Sequence, residues 1–435
     1  MKFYCGAARE KITPKIGTLL YGYRPDIKSE SVNDDLTLSA IAIGDANYRC
    51  LLISADIGDI QTELCGSLRK TLADACGIAA RDIIVVATHT HCAPNLSGFE
   101  GWGEIDREYY ETVFLPAAIS AAKKAIANME PAELGVATGD SKVGINRREH
   151  TRDGQILLGQ NPWGLFDPAI TVIRIRRADT KEGIVNIVHY GCHGTACGMS
   201  TTITRDWPGV MVDRLEMETG TLSVFVNGAI GDVGPRLSNG KTVGDISYVE
   251  ELGSCAAMDA IRVAAQVKSY APARVAAFYG TVRLPYKELP TLDEIRKEKA
   301  KLKDSESLVN IDALRYGYLC KVEEILLSGK LQHPNCFEFE ETILAVGDIV
   351  FVPFPFEIFS EISMRLRYYS KYAHTLCMSC ANGYSGYLPS QDQICRGGYE
   401  VGVFRYSSTY SLADNSDDNI INEVLKIIER GETNV

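Results

Sequence analysis

Short apolar, β-branched runs alternate along this chain with amphipathic segments, the pattern of sheets covered by helices. The runs predict strands over 36–43, 50–55, 83–87, 169–175, 184–189, 222–226, 274–282 and 348–352. Helical spacing of apolar positions predicts helices over 63–76, 106–127, 207–218, 248–267, 358–369 and 419–429. One stretch departs from this rhythm. TLDEIRKEKAKLKDSES is charged and helix-forming, and the following VNIDALRYGYLCKVEEILLSGK is apolar at helical spacing. It predicts a helical hairpin inserted between strands at about 291–330, broken near 304–307. A solvated excursion, a lid and an interface arm all fit that pattern. No repeat, low-complexity tract or Pro/Gly/Ser-rich linker divides the sequence. The expectation is one α/β domain over 1–435, with mixed β-sheets covered by helices.

The chemistry gathers at strand ends. In IIVVATHTHCAPN a run apolar throughout, as in a strand buried on both faces, stops at His89 and His91. Open α/β sheets place ligand sites at the carboxyl ends of their strands. Residues two apart in extended chain share a side, so both imidazoles can enter one cleft. Two of only 7 histidines at this spacing favour a metal or acid–base site over an isolated core histidine. A second run, IVNIVHYGCHGTACG, ends in His189 and His193, four apart. One of these is expected to be structural, and His193, beside Gly191 and Gly194, is taken as the more accessible candidate.

In DIVFVPFPFEIFSEISMRLR the apolar run breaks at Pro353 and Pro355, and Glu357 is expected to open an amphipathic helix. A carboxylate in a first turn can merely compensate the helix dipole. Between Phe356 and Ile358, however, a bare charge is out of place, and a buried carboxylate needs a partner such as a metal. Two histidines and a glutamate suit catalytic zinc, with a position left for water. CANGYSGYLPSQDQICRGGYE adds Tyr384, Tyr387 and Tyr399 without distinguishing them from packing tyrosines.

Composition narrows the classes. A net charge of -11 argues against phosphate neutralisation on nucleic acid and against docking to anionic lipid. The start MKFYCGAAREKITPKIG lacks the apolar core of a secretory signal, and no apolar run is long enough to span a bilayer. The 13 cysteines show no framework spacing, so reduced thiols in a cytoplasmic protein are expected. Cys377 and Cys380 form a lone CxxC, better read as core cysteines than as half of a structural zinc site.

Taken in order, AAREKITP…YGY, THTHCAP, INRRE, HGTACG, RDWPG, NGAIGDVGP, FPFE, NGYSGY and GGYE resemble the neutral/alkaline, non-lysosomal ceramidase family over most of the chain. The resemblance implies that family's catalytic-domain fold, one Zn2+ per chain, and hydrolysis of a linear amide or ester by zinc-activated water. It implies His89, His193, Glu357 and Tyr387 as metal ligands. It further implies that His91, Arg147 and Tyr399 lie around the scissile amide, where His91 can shuttle a proton and Arg147 with Tyr399 can stabilise the oxyanion. Only the resemblance separates Arg147 from its neighbour Arg148, or picks out Tyr387.

Two departures matter. The family's GDVSPN reads GDVGPR here, so Gly234 replaces a serine. The chain is also expected to lack the C-terminal immunoglobulin-like domain of secreted relatives. A small, soluble amide or ester is therefore expected in preference to ceramide, with no stable membrane association. Two alternatives remain: a non-catalytic, metal-bound binding protein on the same scaffold, and an amidohydrolase-type barrel. The barrel would need further ligands, for which His333 and His374 are poorly placed.

Overall fold

The computed structural model describes residues 2–46, 48–99, 102–303, 311–329 and 334–433. Its larger sheet contains β1 (Tyr4–Lys11), β2 (Thr37–Gly44), β3 (Arg49–Ala55), β4 (Ile83–Ala87), β5 (Glu130–Asp140), β6 (Ala169–Arg177), β7 (Gly183–Tyr190) and β8 (Ser223–Asn227), in the order β8-β7-β6-β5-β1-β2-β3-β4. The smaller sheet runs in sequence order through β9 (Val275–Pro285), β10 (Cys336–Val346), β11 (Ile349–Pro353) and β12 (His374–Met378).

Strand alternation explains the layering. In β2, Leu38, Ala40 and Ala42 face one core while Ile41 and Ile43 face another. β4 likewise sends Val85 to the first and Ile84 and Val86 to the second. The second core lies between the sheets, where these side chains meet Leu344, Val346, Ile349 and Phe351. The outer face of the larger sheet is covered by α1 (Thr62–Cys76) and α2 (Leu115–Ala127) on one half. On the other half lie α3 (Asp206–Thr219) and α4 (Ile246–Ala264). Beyond the smaller sheet lie α7 (Ser360–Tyr369), α8 (Tyr399–Tyr406) and α9 (Ser416–Thr433). The result is a four-layer α/β/β/α sandwich of mixed sheets covered by helices. Each large apolar side chain buried in these interfaces contributes about 1.5–3 kcal/mol.

β1 and β5 pair only at Tyr4–Pro131 and Cys5–Glu130, so the larger sheet splits into two halves. They meet again where Ser54 Oγ of β3 donates to the Phe225 carbonyl of β8 at 2.6 Å. This closure brings the carboxyl ends of β4, β7 and β8 together, and the segment after β12 joins them through the bridge between Val86 and Ala381.

Several elements differ from the sequence expectation. The strands β1, β5, β10 and β12 were not predicted, because YCGAAREK and EPAELGVATGD mix glycine, proline and charge. Register with partners creates them: β5 pairs residue for residue with β6 from Ala132–Arg177 to Asp140–Ala169. The predicted 106–127 helix contains a π-turn at Tyr110–Phe114 before α2. Between β9 and β10, α5 (Leu292–Lys303) and α6 (Ile311–Ser328) pack on each other through Ile295, Leu302, Tyr318, Leu319 and Val322. The expected break at 304–307 and His333 lie outside the described residues. His374 opens β12, away from the histidine cluster described below. Every cysteine is free. Burial pushes the Cys377 thiol up to about 12, as befits a core residue.

Candidate metal centre

The first histidine pair meets at the end of β4, though not as extended chain. His89 has φ 64°, the left-handed region, which costs a non-glycine residue about 1–3 kcal/mol. Its Nδ1 donates to the Gly58 carbonyl at 2.7 Å, so Nε2 carries the lone pair. His91 Nε2 lies 3.2 Å from that nitrogen. The third ring is His193, whose Nδ1 donates to the Val233 carbonyl at 3.0 Å and leaves Nε2 as its acceptor. One ligand atom from each of His89, His91 and His193 falls within 4.8 Å of the others.

Glu357 completes the group. Its carboxylate lies 2.9 Å from His193 Nε2 and 3.7 Å from His89 Nε2. Glu357 does not open a helix as the sequence suggested. Glu357–Ile358 forms a two-residue parallel ladder with Tyr387–Leu388, and α7 begins only at Ser360. Glu357 N–H donates to the Gly386 carbonyl at 2.9 Å, so the backbone is held by the neighbouring segment instead of by a helical turn. The same ladder places Tyr387 directly opposite Glu357.

These atoms fit a cation. Burial and the Arg147 charge push the His193 imidazole down to about 4, so it is neutral at physiological pH. Against the burial of Glu357, its interactions with His89, His193 and Arg147 hold its carboxyl well below the usual range. His193 Nε2 thus lies beside an ionised oxygen, Glu357 Oε2, that has no hydrogen-bond partner among the described residues. A neutral imidazole nitrogen and a carboxylate oxygen 2.9 Å apart, out of solvent, are the arrangement a metal ion would resolve, and in this structure the Arg147 guanidinium donates to the nitrogen instead, at 2.8 Å. The Nδ1–H bonds to backbone carbonyls are the outer-shell contacts that fix the tautomer of metal-binding histidines.

Arg147 and Arg148 point to opposite sides of the strand Gly144–His150. Arg147 Nη1 donates to His193 Nε2, Nη2 to Tyr387 Oη, and Nε to Glu400, each at 2.8 Å. Arg148 bonds the other Glu400 oxygen at 2.6 Å and the Gly397 carbonyl at 2.6 Å, bracing the loop before α8. Tyr399 stands next to Glu400, with its ring 5.9 Å from that of Tyr387. Burial raises both phenols, and the Arg147 charge draws them partly back.

The structure brings all seven sequence-predicted residues into one neighbourhood. One expectation fails: His193 is not the accessible member of its pair, for it is 0% exposed against 7% for His189. His189 is the structural histidine, its Nε2 donating to the Cys377 carbonyl at 2.7 Å inside the sandwich. Three residues went unforeseen. Tyr384 donates to Glu357 Oε1 at 2.7 Å, Tyr21 to Asp59 Oδ2 at 2.6 Å, and Glu400 clamps both arginines. Each lies within a quoted motif (NGYSGY, YGY, GGYE), the only signal available.

A scan against protein-family models found no match, and a search of curated proteins found none. Solved structures do match. One is a neutral ceramidase from Pseudomonas aeruginosa, with a TM-score of 0.73 and 16% identity, covering 99% of this chain and 75% of that one. Another is a ceramidase complexed with C2, with a TM-score of 0.72 and 16% identity over 99% and 76%. Such identity shows the fold alone: this chain is a divergent protein with the neutral ceramidase fold.

Proposed function

We propose that this chain is a zinc-dependent hydrolase of a linear amide or ester bond, acting on a small, soluble substrate. Supporting this most directly is the buried Glu357 Oε2, which has no hydrogen-bond partner among the described residues and lies 2.9 Å from His193 Nε2. His89, His193, Glu357 and Tyr387 hold the ion. A bound zinc supplies Lewis acidity, acidifying water and polarising a carbonyl.

The protein's own groups do the rest. Burial and the neighbouring His89 and His193 keep His91 well below its ordinary pKa, so at rest it is a neutral base that can take a proton and pass it to the leaving group. Arg147 commits two of its five N–H groups to Glu400 and Tyr387, and the Nη1–H that points at His193 Nε2 would be released once that nitrogen holds the ion, leaving three for a developing oxyanion. Tyr399 contributes its hydroxyl from the first turn of α8. Tyr384 orients the Glu357 carboxylate by donating to Oε1.

The whole chain, 1–435, serves as one catalytic domain, with the helical pair as an insertion. Among the described residues no helix is long and apolar enough to cross a membrane. A soluble substrate and a cytoplasmic setting accord with the acidic charge.

A second reading, a metal-bound protein without turnover, is favoured by Gly234. A Cβ at this position would lie 2.8 Å from Thr242 Cβ, so a serine has no room here.

Elemental analysis of purified protein beside His193→Ala and Glu357→Ala tests the metal. Stoichiometric zinc lost in both variants is expected. A wild type that takes up none after zinc add-back overturns the hydrolase reading. The two readings part at His91→Ala, expected to keep zinc and lose turnover of a screened amide or ester. If zinc-loaded wild type cleaves no such bond, the binding-protein reading prevails.

A further inference from the structure

The YGY motif is not used by the reading above, yet it encloses His91. Tyr21 and Tyr23 stand edge-on to the imidazole, with ring centroids 5.4 and 5.1 Å away. Gly22 between them has φ 112°, and a Cβ there would lie 2.4 Å from the His91 ring. Only glycine lets the two tyrosines close around this histidine.

The two hydroxyls meet different fates. Tyr21 Oη is anchored on Asp59 at 2.6 Å. Tyr23 Oη is shielded from solvent but has no hydrogen-bond partner among the described residues, and the same holds for His91 Nδ1. A fold seldom leaves buried polar atoms unpaired, because each forfeits its hydration without return. Here two occur on rings in contact. His91 and Tyr23 also retain partial exposure as residues, whereas His89, His193 and Glu357 are sealed. The enclosed unpaired atoms thus belong to the two members of the cluster that reach its partly exposed side.

We propose that Tyr23 is a substrate-binding residue: its hydroxyl and His91 Nδ1 are left unpaired to receive a polar atom of the ligand next to the bond that is cleaved. The ligand class is a small amide or ester with an oxygen or nitrogen beside the carbonyl, able to bond a phenol. This rests on the hydrolase reading of the same site.

The test compares Tyr23→Phe with Tyr21→Phe, each lacking one hydroxyl. Without ligand, Tyr21→Phe is expected to melt earlier, because Asp59 loses its donor. Tyr23→Phe is expected to melt at or above wild type, since a hydroxyl with no partner stabilises nothing. Zinc content should be unchanged in Tyr23→Phe. Acetohydroxamate, an amide-like probe, should bind its zinc-loaded form about threefold to tenfold more weakly, the loss of one neutral hydrogen bond. A drop in stability like that of Tyr21→Phe overturns the inference, by showing an internal partner for the hydroxyl. Wild-type acetohydroxamate affinity in Tyr23→Phe overturns it as well, as does zinc-loaded wild type that binds no probe. Those failures leave the metal reading standing, whereas a wild type without zinc overturns both.

Discussion

Two histidine pairs sit at the carboxyl ends of strands in one sheet, and the fold treats them differently. His89 and His91, two apart, both join the cluster. Of His189 and His193, four apart, only His193 does, while His189 is spent on a backbone carbonyl between the sheets. Position relative to the strand end decides this. His189 is still within β7, where alternation points it into the sandwich. His193 and both members of the first pair lie beyond their strands, where the backbone is free to turn. The left-handed φ at His89 is such a turn, and the cost of holding it there accords with a constrained site.

The sharpest test of this contrast is metal content: His193→Ala should lose stoichiometric zinc, while His189→Leu should retain it. Equal retention would dissolve the distinction. The neighbouring arginines repeat the contrast on a smaller scale. Arg147→Lys should lower turnover about 100-fold with little loss of stability, since the forked donors are lost while the charge remains. Arg148→Lys should act mainly on the melting temperature, by releasing the Gly397 carbonyl. Urea unfolding of His189→Leu should show a loss of about 1–3 kcal/mol, the cost of leaving the buried Cys377 carbonyl unpaired.

The smallest effect is one of pH. Burial holds His189 below its ordinary 6.5. As pH falls through that value, the unfolded chain takes a proton that the folded chain refuses, and wild type loses stability. His189→Leu lacks this loss, so its deficit should narrow between pH 7.5 and 5. Burial raises Asp59, Asp206 and Asp232 to about 6, which acts in the opposite sense, but they are common to both proteins and cancel in the difference. A gap that widens on acidification would contradict the assignment of His189 as a neutral core donor.

Local pattern carried a good part of this structure. The runs that became β2, β3, β4, β7, β8 and β11 are apolar enough to announce themselves, because burial on both faces requires it. β1 and β5 are not, since pairing with β2 and β6 rather than their own composition makes them strands. For the site, His89, His91, His193 and Glu357 were legible as unusual polar residues at the ends of such runs. Tyr387 and Arg147 were not, for nothing in 21 tyrosines or in a doubled arginine marks one out. Only motif order did so.

By itself, then, the sequence determined the layered α/β class, the helical pair between two strands, and the strand ends where chemistry gathers. Hydrophobic periodicity and rare polar residues are local properties of a chain. Only the tertiary structure decided that Glu357 stands on a ladder opposite Tyr387 and that Arg147 turns toward His193 while Arg148 does not. It alone placed Tyr23 beside His91 with its hydroxyl unpaired among the described residues. Those outcomes depend on which distant backbones meet, and on where hydrogen bonds run out once they have met.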